Sequence, residues 1–347
     1  MVTQDEIAKR LNISRTTVAR AFSGKSIKEE TRIKVLEEAE KLGYEKNGAA
    51  ASLALKTIKT IYAFIIATID EGYGQQTEEG IREAAHMWQG YNFEIHTVFT
   101  DITTGSDQCR RQMEQFFEVI NQKNVDGIIF SALSKGNMDW VSRICREKEI
   151  PLMTLDMIYT NERLCHVGPD YFNLGTYSAA CLARLIMKEG NILTMCYDEG
   201  YELGKKRMEG FYHKLQEYPG IQCRKVILEE MSQKYYWRVL EKECENSWPT
   251  AIYAPYHVDY IGDFLNEHEM QHQVVTISNG VNERVEKYLY DGTIDAIVSA
   301  RPYFLGAVVA NNFFKYFYRN TEMLRGNIDV TCDIYIKENY NRYDKIF

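Results

Sequence analysis

From residue 60 onward the chain alternates short, almost wholly apolar runs with longer amphipathic stretches, and this limits its possible folds more than any other feature. The runs "TIYAFIIAT", "DGIIFSA", "PLMTLD", "ILTMCY", "TAIYAP", "VVTIS" and "DAIVSA" are too short for core helices. A strand covered on both faces reads as a continuous apolar run, because neither side chain row meets water. With "FEIHTVF" and "RKVIL", these segments predict a repeated strand–helix pattern. The first series places helices at 74–90, 106–123 and 137–149. A second begins near Cys165, with helices at 172–189, 202–217, 233–246, 257–268, 282–291 and 303–318. Two such series predict two similar α/β lobes, each a parallel sheet covered on both faces. Ligands of such folds bind beyond the carboxyl ends of the strands, here in a cleft between lobes. No proline- or serine-rich linker interrupts 60–347, so the lobes are expected to be tightly joined.

The 347 residues are 45% hydrophobic, enough for a large buried core in two or three domains. No run of eighteen apolar residues occurs and no charged-then-apolar leader precedes residue 30, so neither a membrane span nor a secretion signal is expected. The eight cysteines are scattered without a CxxC pair. That spacing fits reduced, mostly buried thiols of a cytoplasmic protein better than a disulfide framework or a zinc site.

The first sixty residues differ in kind. They carry 12 Lys and Arg against 8 Asp and Glu, although the whole chain has a net charge of −8. A basic head on an acidic body points to a polyanionic partner for the head. Thr3 opens "TQDE" with the spacing of a capping box to Glu6, and Ile7, Ala8 and Leu11 then share a helical face. Ser14 is a fitting N-cap for a second helix that buries Val18, Ala21 and Phe22 after a four-residue turn. A third helix, about 28–42, sets Val35, Ala39 and Leu42 at helical spacing. The outward face of the second helix in "ISRTTVARAFSG" presents Arg15, Thr16, Thr17 and Arg20. Polar donors at the start of such a helix suit the edges of bases in a major groove, where Arg pairs with guanine and Thr offers a hydroxyl or a methyl contact.

On these residues the segment "VTQDEIAKRLNISRTTVARAFSG…TRIKVLEEAEKLGYEKNGAAASLALK" resembles the N-terminal domain of LacI/GalR-family transcription regulators. The resemblance implies a sequence-specific regulator, a repressor, that binds pseudo-palindromic double-stranded operator DNA as a homodimer. It implies a helix-turn-helix headpiece at 1–46, with Ser14, Arg15, Thr16, Thr17 and Arg20 at the DNA. It implies a hinge helix and linker at 47–59, in which Asn47 and Ala50 meet DNA and Leu53 is a wedge in the minor groove. Two departures are Lys46, where the family has proline, and Ala51, where it has a hinge arginine.

The body resembles, more loosely, the periplasmic sugar-binding-protein fold, through "HVGPDYFNLG", "KKRMEGFYHKL" and the closing "VTCDIYIKEN". The implied lobes are 60–158 with 293–320, and 159–292 with 321–347. The implied effector is a small sugar or sugar derivative whose binding closes the lobes and so biases docking of the heads. Its candidate contacts are Tyr73 after the first strand, Asp156 at the end of "PLMTLD", Arg207 in "KRMEGF", Tyr256 and Asn279. Tyr256 replaces a common asparagine, Ser278 and Asn279 stand where an acidic residue grips hydroxyls, and Ala300 replaces a glutamine. Those replacements speak against a neutral hexose in the usual pose and leave room for a modified or acidic sugar held by Arg207.

No catalytic residue, metal ligand or cofactor is expected. "HEMQH", His268–His272, has the letters of a zinc-protease motif but straddles the expected end of a helix, whereas that chemistry needs both histidines on one helical face. "GYGQQT", Gly72–Thr77, has two of the three glycines of a dinucleotide loop, and Asp70 and Glu71 would repel a pyrophosphate. A Rossmann-like enzyme acting on a sugar or nucleotide is the alternative reading.

Overall fold

The computed structural model describes residues 3–23, 27–42, 58–67, 71–102, 107–197, 202–318 and 326–340. Asn47, Ala50 and Leu53 of the expected hinge helix lie outside these residues. The chain divides into two compact units, Met1–Thr57 and Ile58–Phe347.

In the first unit, α1 (Gln4–Leu11), α2 (Arg15–Ser23) and α3 (Glu29–Lys41) follow the predicted pattern. The Thr3 hydroxyl accepts from Glu6 N at 3.3 Å and the Glu6 carboxylate accepts from Thr3 N at 2.9 Å, so the capping box is complete. Asn12 ends α1 in the left-handed region, with φ 52°, which starts the tight turn into α2. Ile7, Ala8, Val18, Ala21, Val35 and Ala39 form the buried centre, with Leu11, Ile13, Phe22, Ile27 and Leu42 packed around it. One apolar stripe per helix therefore meets at a common core. Short helices like α1 and α2 owe their stability to that packing rather than to propensity.

The second unit has two six-stranded sheets. The first holds β1 (Lys59–Ala67), β2 (Phe93–Asp101), β3 (Gly127–Ser131), β4 (Leu152–Leu155), β5 (Cys165–Pro169) and β11 (Gly326–Val330), in the order β11-β5-β4-β3-β1-β2 and all parallel. The second holds β6 (Gly190–Tyr197), β7 (Ile221–Leu228), β8 (Ala251–Tyr253), β9 (Val275–Ser278), β10 (Ala296–Ser299) and β12 (Asp333–Tyr335). Its order is β12-β10-β9-β8-β6-β7, with β12 alone antiparallel at the edge.

Helices cover both faces of each sheet. On the first, α4 (Glu71–Met87) and α12 (Pro302–Tyr318) pack one side, and α5 (Gln108–Gln122) and α6 (Lys135–Glu147) the other. On the second, α7 (Tyr171–Leu185) and α8 (Glu202–Leu215) lie opposite α9 (Gln233–Cys244) and α10 (Val258–Glu267), and α11 (Glu283–Asp291) packs beside β10. The Phe64, Phe116 and Phe130 rings meet at 5.3–5.9 Å in the first lobe, each almost wholly removed from water. Burying one such side chain is worth about 1.5–3 kcal/mol.

The expected lobe limits require correction. β5 and β11 belong to the first sheet although 159–292 and 321–347 were assigned to the second lobe, and β10 belongs to the second although 293–320 was assigned to the first. The chain therefore passes between sheets after β5, after β10 and after β11. β5 reads "CHVGP", whose Gly and Pro mask its strand character. β11 reads "GNIDV", and an edge strand has no need of a continuous apolar run.

Candidate functional site

Two regions, one in each unit, bring the sequence-predicted residues together. In the head, Ser14 caps α2: its hydroxyl accepts from Thr17 N at 3.0 Å and lies 2.8 Å from the Thr17 hydroxyl. Those two hydroxyls are engaged with each other and with the helix start. Arg15, Thr16 and Arg20 are exposed on the face turned away from Val18 and Ala21. Arg15 lies 3.7 Å from the Asp5 carboxylate, an open pair of the kind worth at most about 1 kcal/mol. Arg10 on α1 pairs with Glu38 at 3.4 Å.

In the body, Asp156 follows β4 in the left-handed region, with φ 67°, a conformation that Asp tolerates better than most residues. This turns its buried carboxylate into a cluster of hydroxyls. Tyr73, on the first turn of α4, donates to Oδ1 at 2.5 Å, and Tyr171, the first residue of α7, donates to the same oxygen at 3.3 Å. Ser131, at the end of β3, donates to Oδ2. The two phenol oxygens lie 3.1 Å apart. Burial pushes the Asp156 carboxyl above the usual carboxylate range, and the three donated hydrogen bonds pull against that shift. Burial likewise raises the Tyr73 and Tyr171 phenols, and the neighbouring Asp156 charge adds to it, so both remain hydroxyl donors.

Arg207 lies on α8, where α7 and α8 cross so closely that a Cβ at Gly175 would stand 1.8 Å from the Arg207 carbonyl oxygen. Its buried guanidinium donates to Pro255 O at 3.0 Å, and its Cζ is 5.3 Å from the Tyr256 ring and 5.7 Å from the Tyr171 ring. A cation among aromatic faces, joined through Tyr171 to a buried carboxylate, can receive a ligand carrying both hydroxyls and negative charge. Tyr256 and Met231 of the second lobe, together with Leu133 of the first, also pack on Ile66 and Ile102 of the first, at the carboxyl ends of their strands.

Thus Tyr73, Asp156, Arg207 and Tyr256 converge, linked through Tyr171. Asn279 does not join them. Its Oδ1 accepts from Tyr253 at 2.7 Å, and its Nδ2 donates to Ser178 at 2.9 Å and to Val298 O at 3.0 Å. A buried amide with all three bonds made inside its own lobe is a packing residue. Ser131 and Tyr171 are the members sequence reasoning missed. Tyr171 stood in the quoted "HVGPDYFNLG", but nothing local marks its hydroxyl as facing Asp156.

The "HEMQH" histidines are apart in role. His268 follows the last turn of α10, with Nδ1 2.9 Å from Phe264 O, and His272 lies in a turn at φ 66° with Nδ1 3.0 Å from Gly292 O. A cavity of about 280 Å³ opens at the opposite, N-terminal ends of β6 and β7, lined by Asn191, Gln222, Arg224 and Trp248 among others. Arg224 there is paired with Glu243 at 3.0 Å.

Comparisons with known proteins agree with this division. The periplasmic binding protein domain matches residues 62–317. The chain is 27% identical over 221 residues to the NTD biosynthesis operon regulator NtdR of Bacillus subtilis, covering 63% of this chain and 62% of that protein. It is 33% identical over 171 residues to catabolite control protein A of Staphylococcus xylosus, covering 49% of this chain and 48% of that protein. The chain spans about half the length of the curated relatives it matches. Among solved structures, GanP, a glucose-galactose binding protein from Geobacillus stearothermophilus, superposes with TM-score 0.68 at 17% identity, covering 82% of this chain and 99% of that one. At that identity the likeness concerns the fold.

Proposed function

This chain belongs to the periplasmic binding protein domain family and to the LacI/GalR regulators, and from that premise we propose that it is a sequence-specific transcription regulator, a repressor, controlled by a small sugar-like effector. The head binds operator DNA and the cleft of the body binds the effector. It acts in the cytoplasm as a homodimer, two heads meeting two half-sites of a pseudo-palindrome. One observation carries the reading: a three-helix head with Arg15, Thr16 and Arg20 turned outward shares a chain with a two-sheet binding-protein body. In the cleft, Arg207 supplies the positive charge and Tyr73, Asp156 and Tyr171 a hydroxyl network, so a sugar derivative bearing a carboxylate suits it better than a neutral hexose. NtdR and catabolite control protein A are regulators by name and GanP is a sugar-binding protein by name, which supports both halves.

Binding-site selection from random duplexes tests the reading. Arg15→Ala and Thr16→Ala change the preferred base at one or two positions of each half-site, at a cost of about 1–3 kcal/mol each. Lys9→Ala, on α1, lowers affinity for all sequences alike. Recovery of the wild-type operator by the Arg15 and Thr16 variants would show that α2 is not the reader.

A further inference from the structure

The "GYGQQT" stretch has a use that has nothing to do with phosphates. It forms the first turns of α4, on the first lobe's side of the cleft, and its two glycines face different neighbours. A Cβ at Gly74 would stand 2.8 Å from Ile66 O and 3.3 Å from the Ala67 Cα, so this glycine lets α4 seat against the end of β1 in its own lobe. A Cβ at Gly72 would stand 1.9 Å from Val281 O and 3.1 Å from its carbonyl carbon. Val281 belongs to the other lobe, between β9 and α11, where its side chain packs on the cluster of Val258, Val285 and Tyr288. One turn on from Gly72, the Gln76 amide donates to the same Val281 oxygen at 3.3 Å. Tyr73, between the two glycines, reaches Asp156 and Tyr171.

We propose that Gly72 is the closure stop of this cleft: the missing side chain at position 72 sets how near the two lobes can come, with Gln76 and Val281 as the closing contact. The backbone at Gly72 is helical, so an L residue fits there without backbone strain. The main cost of a side chain is the encounter with Val281, since the other close neighbour, the Gln76 amide nitrogen at 3.2 Å, is the end of a flexible side chain. A backbone carbonyl cannot rotate aside as a long side chain does. α4 cannot retreat either, because Gly74 already seats it on β1. Val281 is anchored by its own lobe's core. The remaining freedom is rotation of one lobe against the other about the three crossovers, which is the ordinary hinge motion of such bodies. A methyl group at position 72 therefore acts as a wedge that opens the cleft while leaving each lobe's core untouched.

The inference deepens the reading of an effector-controlled cleft, but its test needs neither effector nor DNA, so the two can fail separately. Cys109 on α5 and Cys223 on β7 are exposed and lie on different lobes. Spin labels on these cysteines, in full-length protein diluted with unlabelled chain, report the separation of the lobes. In Gly72→Ala the distance distribution changes towards a more open arrangement, and amides of 71–77 and 279–283 exchange at least about tenfold faster than in wild type. Should Gly72→Ala fail to fold, as judged by circular dichroism, Gln76→Glu tests the same contact by setting a carboxylate against the Val281 oxygen, with the same change expected. A folded variant with the wild-type distances and exchange rates overturns the proposal.

Discussion

The Tyr171 hydroxyl, at the head of α7 in the second lobe, donates to the Asp156 carboxylate, just past β4 in the first, at 3.3 Å. The bond crosses from one sheet's territory to the other's within a few residues of the first crossover. Tyr73 donates to the same oxygen, so a single buried carboxylate ties α4 to α7.

That carboxylate should leave a mark on stability against pH. Its pKa in the folded protein is raised above the ordinary 3.8, chiefly by burial. The folded state then holds the proton more tightly than the unfolded state. Its contribution to stability is greatest in acid and declines as pH rises from about 4 through the folded value. Asp156→Asn keeps the shape without the ionisation, so denaturant titrations across that range should show a flatter decline than wild type. Equal slopes would mean that Asp156 ionises as it does in the unfolded chain.

His166 should act with the opposite sign. It is buried in β5 with Nδ1 2.9 Å from the Thr154 hydroxyl, and burial, helped by the Arg163 charge, pulls its pKa down to about 4. The unfolded chain takes up this proton first. The stability is therefore fully present above about pH 6.5 and is lost as pH falls toward 4, by roughly 3 kcal/mol at most. Compared with wild type, His166→Gln should lose less stability between those limits. Thermal melts at pH 7, 6, 5 and 4.5 measure this, and parallel curves would exclude the histidine as the cause.

Arg207→Ala should weaken effector binding by about 1.5–3 kcal/mol, the range of a charge-assisted hydrogen bond. The probe is whichever compound, in a thermal-shift screen of sugars and sugar acids, stabilises the wild-type protein most. Operator affinity without effector should hardly change, because the substitution lies in the body and not in the head. An unaltered dissociation constant for that compound would remove Arg207 from the site.

Much of this molecule is legible from neighbours in sequence. The capping box at Thr3, the N-cap at Ser14 and the apolar stripes of α1 to α3 are set by spacings of three and four residues, and the body's helices appear where the amphipathic stretches predicted them. Such features depend on local backbone geometry and on which face a side chain takes, so one segment encodes them by itself. Tertiary structure alone decided which strands share a sheet. β5 and β11 pair with each other and β10 pairs with β12, because partners are chosen by hydrogen bonds between segments far apart in sequence. The same holds for the cleft. Asp156 takes its hydroxyls from Tyr73, Ser131 and Tyr171 on three different elements, while Asn279, equally polar in the sequence, spends its amide inside the second lobe. A polar side chain near a strand's carboxyl end has two fates, and only the packing around it, which satisfies its hydrogen bonds or turns it toward the cleft, selects between them.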